Sequence, residues 1–71
     1  MNLKETTKRM DKKLAYRWDA LDSGYYKLLS ETGRGVYMTL EHLTAELVTK
    51  KLRSMGFNIV GGVPAIRDLR D

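Results

Sequence analysis

The sequence predicts a small α+β protein, and three features point that way. Residues 40–55 carry an apolar helical pattern with a clear start and stop. Short aromatic and β-branched runs at 36–38 and 57–60 are bounded by glycines, as strands are. The first thirty residues hold apolar side chains at helical spacing. Seventy-one residues make one domain, 1–71. A chain this short buries only about 60% of its unfolded surface, so its stability margin is thin.

In the N-terminal segment Met10, Leu14, Trp18 and Leu21 recur at steps of four, four and three. Tyr25, Leu28 and Leu29 continue the phase. One helix over residues 3–30 would be about 42 Å long, too long for a compact domain of this size unless it lines a homodimer. Asp22-Ser23-Gly24 is the natural break. The spacing therefore predicts two helices, about 4–21 and 24–31. Glu31 to Gly35 reads as a loop and Val36-Tyr37-Met38 as a strand.

The next helix spans about 40–55. Thr39 suits its N-cap, and Met38 can staple onto Leu43. Lys50, Lys51 and Arg53 crowd its last turn, where positive charge is favoured. Gly56 stands where a left-handed cap belongs, and Phe57 can fold back on Leu52. The predicted buried arc is Leu40, Leu43, Leu47, Val48, Leu52 and Met55, although Thr44 and Lys51 fall inside it. Phe57 to Val60, with a Gly61-Gly62 turn, predicts a C-terminal hairpin. Pro64 opening a short helix, with Ile66 and Leu69 inward, is the competing reading. The expected core is Met10, Leu14, Trp18, Leu21, Leu28, Leu29, Val36, Leu43, Leu47, Leu52, Met55, Phe57, Ile59 and Ile66.

Residues 43–57, together with the segment after them, resemble the recognition helix and wing of a winged helix-turn-helix protein. Leu52 and Gly56-Phe57 match the family's Leu-x-x-x-Gly-apolar helix ending. The resemblance covers residues 36–69 and implies a helix that enters a DNA groove and a wing at 57–69. The sequence departs from the family before that helix, where Thr39 to Leu43 is barely long enough for the preceding helix and turn.

Charge sharpens the functional expectation. The net charge is +4 and the isoelectric point is about 9.6. Residues 1–17 carry six Lys/Arg and two Asp/Glu, residues 18–49 two against five, and residues 50–71 five against two. Two basic ends thus flank an acidic middle. They make two basic patches, or one if the ends meet in space.

The first functional expectation is a nucleic-acid-binding regulator of transcription. Its site would be Thr49, Lys50 and Arg53 on the helix, with Arg67 and Arg70 from the wing. Glu46 works against phosphate on that face. The second is a protein-binding modulator or inhibitor, of the kind that phages and plasmids encode. It would meet an acidic protein surface through Lys8, Arg9, Lys12, Lys13 and Tyr16 on the first helix. Continuous positive surface joining Lys50, Arg53, Arg67 and Arg70 would favour nucleic acid. An exposed apolar patch rimmed by Lys and Arg would favour a protein partner.

Other classes find little footing. No cysteine and a single histidine, His42, leave no base-and-nucleophile pair and no zinc set, so neither an enzyme nor a cofactor or metal protein is expected. Gly33-Arg34-Gly35 lacks the rest of a phosphate-binding loop and reads as a turn. No apolar run reaches membrane length and no secretory signal opens the chain, so the expected location is the cytoplasm.

Overall fold

The computed structural model describes residues 3–64. Its order is helix α1 (Leu3–Lys8), strands β1 (Ala15–Ala20), β2 (Tyr26–Ser30) and β3 (Gly35–Thr39), helix α2 (His42–Ser54) and strand β4 (Asn58–Ile59). The strands form one mixed sheet in the order β3-β2-β1-β4. The α+β class holds; the expected layout changes.

The two N-terminal helices are replaced by one short helix and two strands. Tyr16, Trp18 and Ala20 alternate with Arg17 and Asp19, a period of two that a sheet separates into two faces. Aromatic residues suit that pleated surface. Asp22-Ser23-Gly24 is a hairpin turn, not a break between helices. Gly24 takes φ +93°, and the Leu21 and Tyr25 backbones bond across the turn at 2.8 Å. β1 and β2 pair antiparallel from Tyr16 opposite Ser30 to Ala20 opposite Tyr26.

β2 pairs antiparallel with β3, with an irregularity at Leu28/Leu29 that leaves Val36 as the extra residue. The residues facing the core are Tyr16, Trp18, Tyr26, Leu28 and Val36. Leu29, counted in the predicted core, alternates instead with Leu28 and pairs with Arg17 on the opposite face.

α2 lies over the core face and stops as its sequence predicts. Gly56 takes φ +96°, its N–H reaches Arg53 O at 3.1 Å, and the Phe57 N–H reaches Leu52 O at 3.0 Å. That is a Schellman stop, with Leu52 and Phe57 both buried. The start differs. The helix begins at His42 after a Glu41 cap whose carboxylate accepts the Thr44 hydroxyl at 3.1 Å and makes no capping bond to the backbone, while Thr39 Oγ1 accepts the Glu41 N–H at 3.4 Å.

The phase of α2 is the larger correction. Ala45, Val48, Thr49 and Leu52 face the sheet, whereas Leu43, Leu47 and Met55 are exposed. Trp18 explains this choice. Its indole N–H donates to Thr49 Oγ1 at 2.6 Å, and that hydroxyl donates to Ala45 O at 2.8 Å. Ala45 has no exposed surface, and its small side chain lets the helix sit close to the sheet.

β4 pairs parallel with β1, Ala15 opposite Asn58 and Tyr16 opposite Ile59. The expected hairpin is not formed within the described residues: Gly61 to Pro64 contain no strand. Nor does a helix-turn precede α2, because β3 runs into it through Leu40 and Glu41. The layout implied by the winged-helix resemblance is therefore not the one adopted. Ile66, Leu69 and the Pro64 helix alternative lie beyond the described residues.

Candidate functional site

Among the described residues, the two most exposed large apolar side chains stand on the outer face of α2. Leu43 keeps 66% and Leu47 58% of their surface exposed, one helical turn apart and pointing away from the sheet. Leu40, just before the helix, is exposed as well. Lys50 and Lys51 follow in the next turn, both exposed.

Beside these leucines runs the segment after β4. Arg53 holds its near end, with Nη2 donating to Ile59 O at 2.8 Å and Gly61 O at 2.6 Å. His42 meets its far end, with Nε2 3.3 Å from Val63 O. The opposite ring nitrogen lies 3.3 Å from Glu46 Oε1, and the ring packs edge-on against Tyr26 at 5.4 Å. Residues 59–63 thus form a strap laid back along α2. Strap and helix flank an open groove of about 340 Å³, lined by Leu43, Glu46, Leu47, Lys50, Arg53 and Val63.

The sequence-predicted residues are distributed differently. Thr49 is only 5% exposed and is spent on Trp18, so it is no phosphate contact. Arg53 is exposed but holds the strap carbonyls through Nη2, and Lys50 is exposed beside it. Arg67 and Arg70 lie outside the described residues. In the N-terminal set, Tyr16 is 2% exposed in β1, and its hydroxyl accepts the Asp11 N–H at 2.8 Å. It does not share an exposed helical face with the lysines. Lys8 ends α1, and Arg9, Lys12 and Lys13 lie in the exposed link to β1.

The Gly33-Arg34-Gly35 turn offers no nest for an anion. The amides of Thr32 and Arg34 point at Ser30 Oγ, at 3.3 and 3.2 Å, and the Gly33 amide bonds Ser30 O at 2.8 Å. Among the described residues no group of three His, Asp or Glu is placed to hold a metal ion. No described helix is long and apolar enough to cross a membrane.

Sequence reasoning missed the leucine surface because two apolar arcs overlap on α2. The larger side chains point to Leu43 and Leu47, the smaller to Ala45 and Val48. The signal available is Thr44 and Lys51, polar residues inside the arc assigned to the core. No family model matches this chain, and no curated protein or solved structure is significantly similar to it.

Proposed function

We propose that the protein is a non-catalytic binding module that takes a partner protein on the outer face of α2. One observation carries this reading: Leu43 and Leu47 stand exposed, one turn apart, on a helix whose other face already supplies the core. Contiguous exposed apolar surface of this kind marks an interaction site more often than chance. Amphipathic partners commonly anchor on residues spaced by one helical turn.

The rim sets the partner's chemistry. Lys50 and Lys51 flank the leucines on their C-terminal side, and Arg53 lies beyond, tied to the strap. An apolar surface edged by carboxylates fits these groups, with charge guiding orientation and encounter. This is the protein-modulator class that the composition suggests, moved from the N-terminal helix to α2.

The test is site-specific photo-cross-linking. A photoreactive residue at Glu46, in the groove, should label a discrete partner in lysate, and the same residue at Arg17, across the sheet, should not. Leu43→Asp/Leu47→Asp, shown to be folded by circular dichroism, should abolish the Glu46 adduct. Equal labelling from both positions, or labelling that survives the double substitution, would overturn the proposal. An adduct at twice the chain mass would identify a second copy as the partner.

A further inference from the structure

We infer that the protein carries a second surface, adjoining the leucine groove at Lys50, that binds the phosphate backbone of nucleic acid. It lies at the end of the sheet where β1 begins and α2 ends. The described parts of the chain's two basic segments are far apart in sequence, and the fold brings Lys12 to the end of α2 there. β4 comes directly after α2 and pairs parallel with the start of β1. Lys12, from the link before β1, lies with its ammonium 5.5 Å from the centroid of the Phe57 ring. The same side chain passes Gly56, close enough that a Cβ there would stand 3.8 Å from Lys12 Nζ. Lys12 thus reaches the C-terminal end of α2, whose last turns bear Lys50 and Lys51, and Lys13 is the next residue along the link. Arg34 stands at the same end of the sheet, in the β2–β3 turn.

The carboxylates are sorted the other way. Asp22 lies in the β1–β2 turn and Asp19 near the end of β1, while Glu41 and Glu46 lie in or before the first half of α2. The strand directions put all four toward the opposite end. Among the described residues, Glu31 and Asp11 remain at the basic end, each engaged by backbone, and Glu5 is exposed in α1 just before the basic link. Glu31 Oε1 accepts the Ala15 N–H at 2.8 Å, and Asp11 Oδ1 accepts the Lys13 N–H at 2.9 Å.

A helix C-terminus ordinarily repels anions through its bare carbonyls. Here three carbonyls near that end are covered. Leu52 O and Arg53 O accept the amides of Phe57 and Gly56, and Lys51 O accepts the Ser54 hydroxyl at 2.6 Å. What the end of α2 presents is its lysines. Clustered flexible cations of this kind match a repeating phosphate backbone and carry no base-reading geometry, so binding should be tolerant of sequence.

The experiment is a salt titration of binding to fluorescent duplex DNA, single-stranded DNA and single-stranded RNA of equal length, using the full chain. The preferred nucleic acid is the one bound most tightly. Its log affinity should fall linearly with log salt, at about −0.9 per phosphate contact for duplex or about −0.7 for single strands. Lys12→Ala/Lys13→Ala should weaken binding at low salt by about tenfold or more and flatten the slope by roughly two contacts. Arg17→Ala/Lys27→Ala removes the same charge from the outer sheet face and should leave affinity within about twofold. Leu43→Ser/Leu47→Ser, which adds no charge beside Lys50 and Lys51, should leave the slope unchanged, which separates phosphate binding from the apolar contacts of the leucine groove. No binding to any of the three at low salt would overturn the inference. Equal losses from the two cation pairs would overturn it too, by showing attraction to net charge alone.

Discussion

The indole N–H of Trp18 donates to Thr49 Oγ1 at 2.6 Å, tying the middle of β1 to the buried face of α2. The two residues are 31 apart in sequence, and both are buried. Trp18 also meets Tyr37 of β3 edge-on at 6.1 Å, so one side chain links two strands and the helix. This bond decides which side of α2 becomes core, and through it which leucines remain outside.

Thr49→Val should destabilise the protein by about 1–3 kcal/mol, because the buried indole N–H loses its acceptor. Thr49→Ser retains the hydroxyl and should cost less. Urea denaturation monitored by Trp18 fluorescence measures both. A larger cost for Ser than for Val would show that the methyl group, not the hydrogen bond, is what counts.

The helix phase has its own test. Leu52→Ala should cost about 2–5 kcal/mol, since Leu52 is wholly buried. Leu47→Ala should stay within about 0.5 kcal/mol, as surface substitutions usually do. Thermal unfolding of the two variants distinguishes this phase from the one that places Leu47 in the core.

Gly56 and Gly62 make a matched pair. Gly56 sits at φ +96°, where an L side chain is strained, and Gly56→Ala should cost about 1–2 kcal/mol. Gly62 has no positive φ and open space around it, so Gly62→Ala should be neutral or slightly stabilising. Chemical denaturation midpoints give the comparison directly.

Arg53→Gln should loosen the strap while the sheet stays intact. The guanidinium spans Ile59 O and Gly61 O, and a shorter neutral amide cannot hold both. Amide exchange at Val60, whose N–H bonds Tyr16 O at 2.7 Å, should quicken, while exchange at Leu28 should change far less. Equal acceleration at both amides would mean that Arg53 stabilises the whole fold and not the strap.

The stop of α2 is legible in the sequence because it is local. Leu52, Gly56 and Phe57 lie within six residues, and their chemistry needs nothing from elsewhere. The N-terminal third misleads for the opposite reason. Met10, Leu14, Trp18 and Leu21 satisfy a helical period while Tyr16, Trp18 and Ala20 satisfy a strand period. Both patterns share Trp18, and only pairing with β2 separates them. The site is obscured in the same way. Lys50 is readable as an exposed cation, but helical spacing places Thr49 and Tyr16 on surfaces that the fold buries.

The sequence by itself determined the α+β class, the interruptions at Gly24 and Gly33, and the end of α2. Each rests on backbone preferences acting over a few residues. Only the tertiary structure decided the orientation of α2 and the approach of Lys12 to the end of that helix. A helix with two apolar arcs is settled by which arc the sheet can pack and hydrogen-bond. Here Ala45 admits close approach and Thr49 satisfies Trp18, so Leu43 and Leu47 are left facing outward.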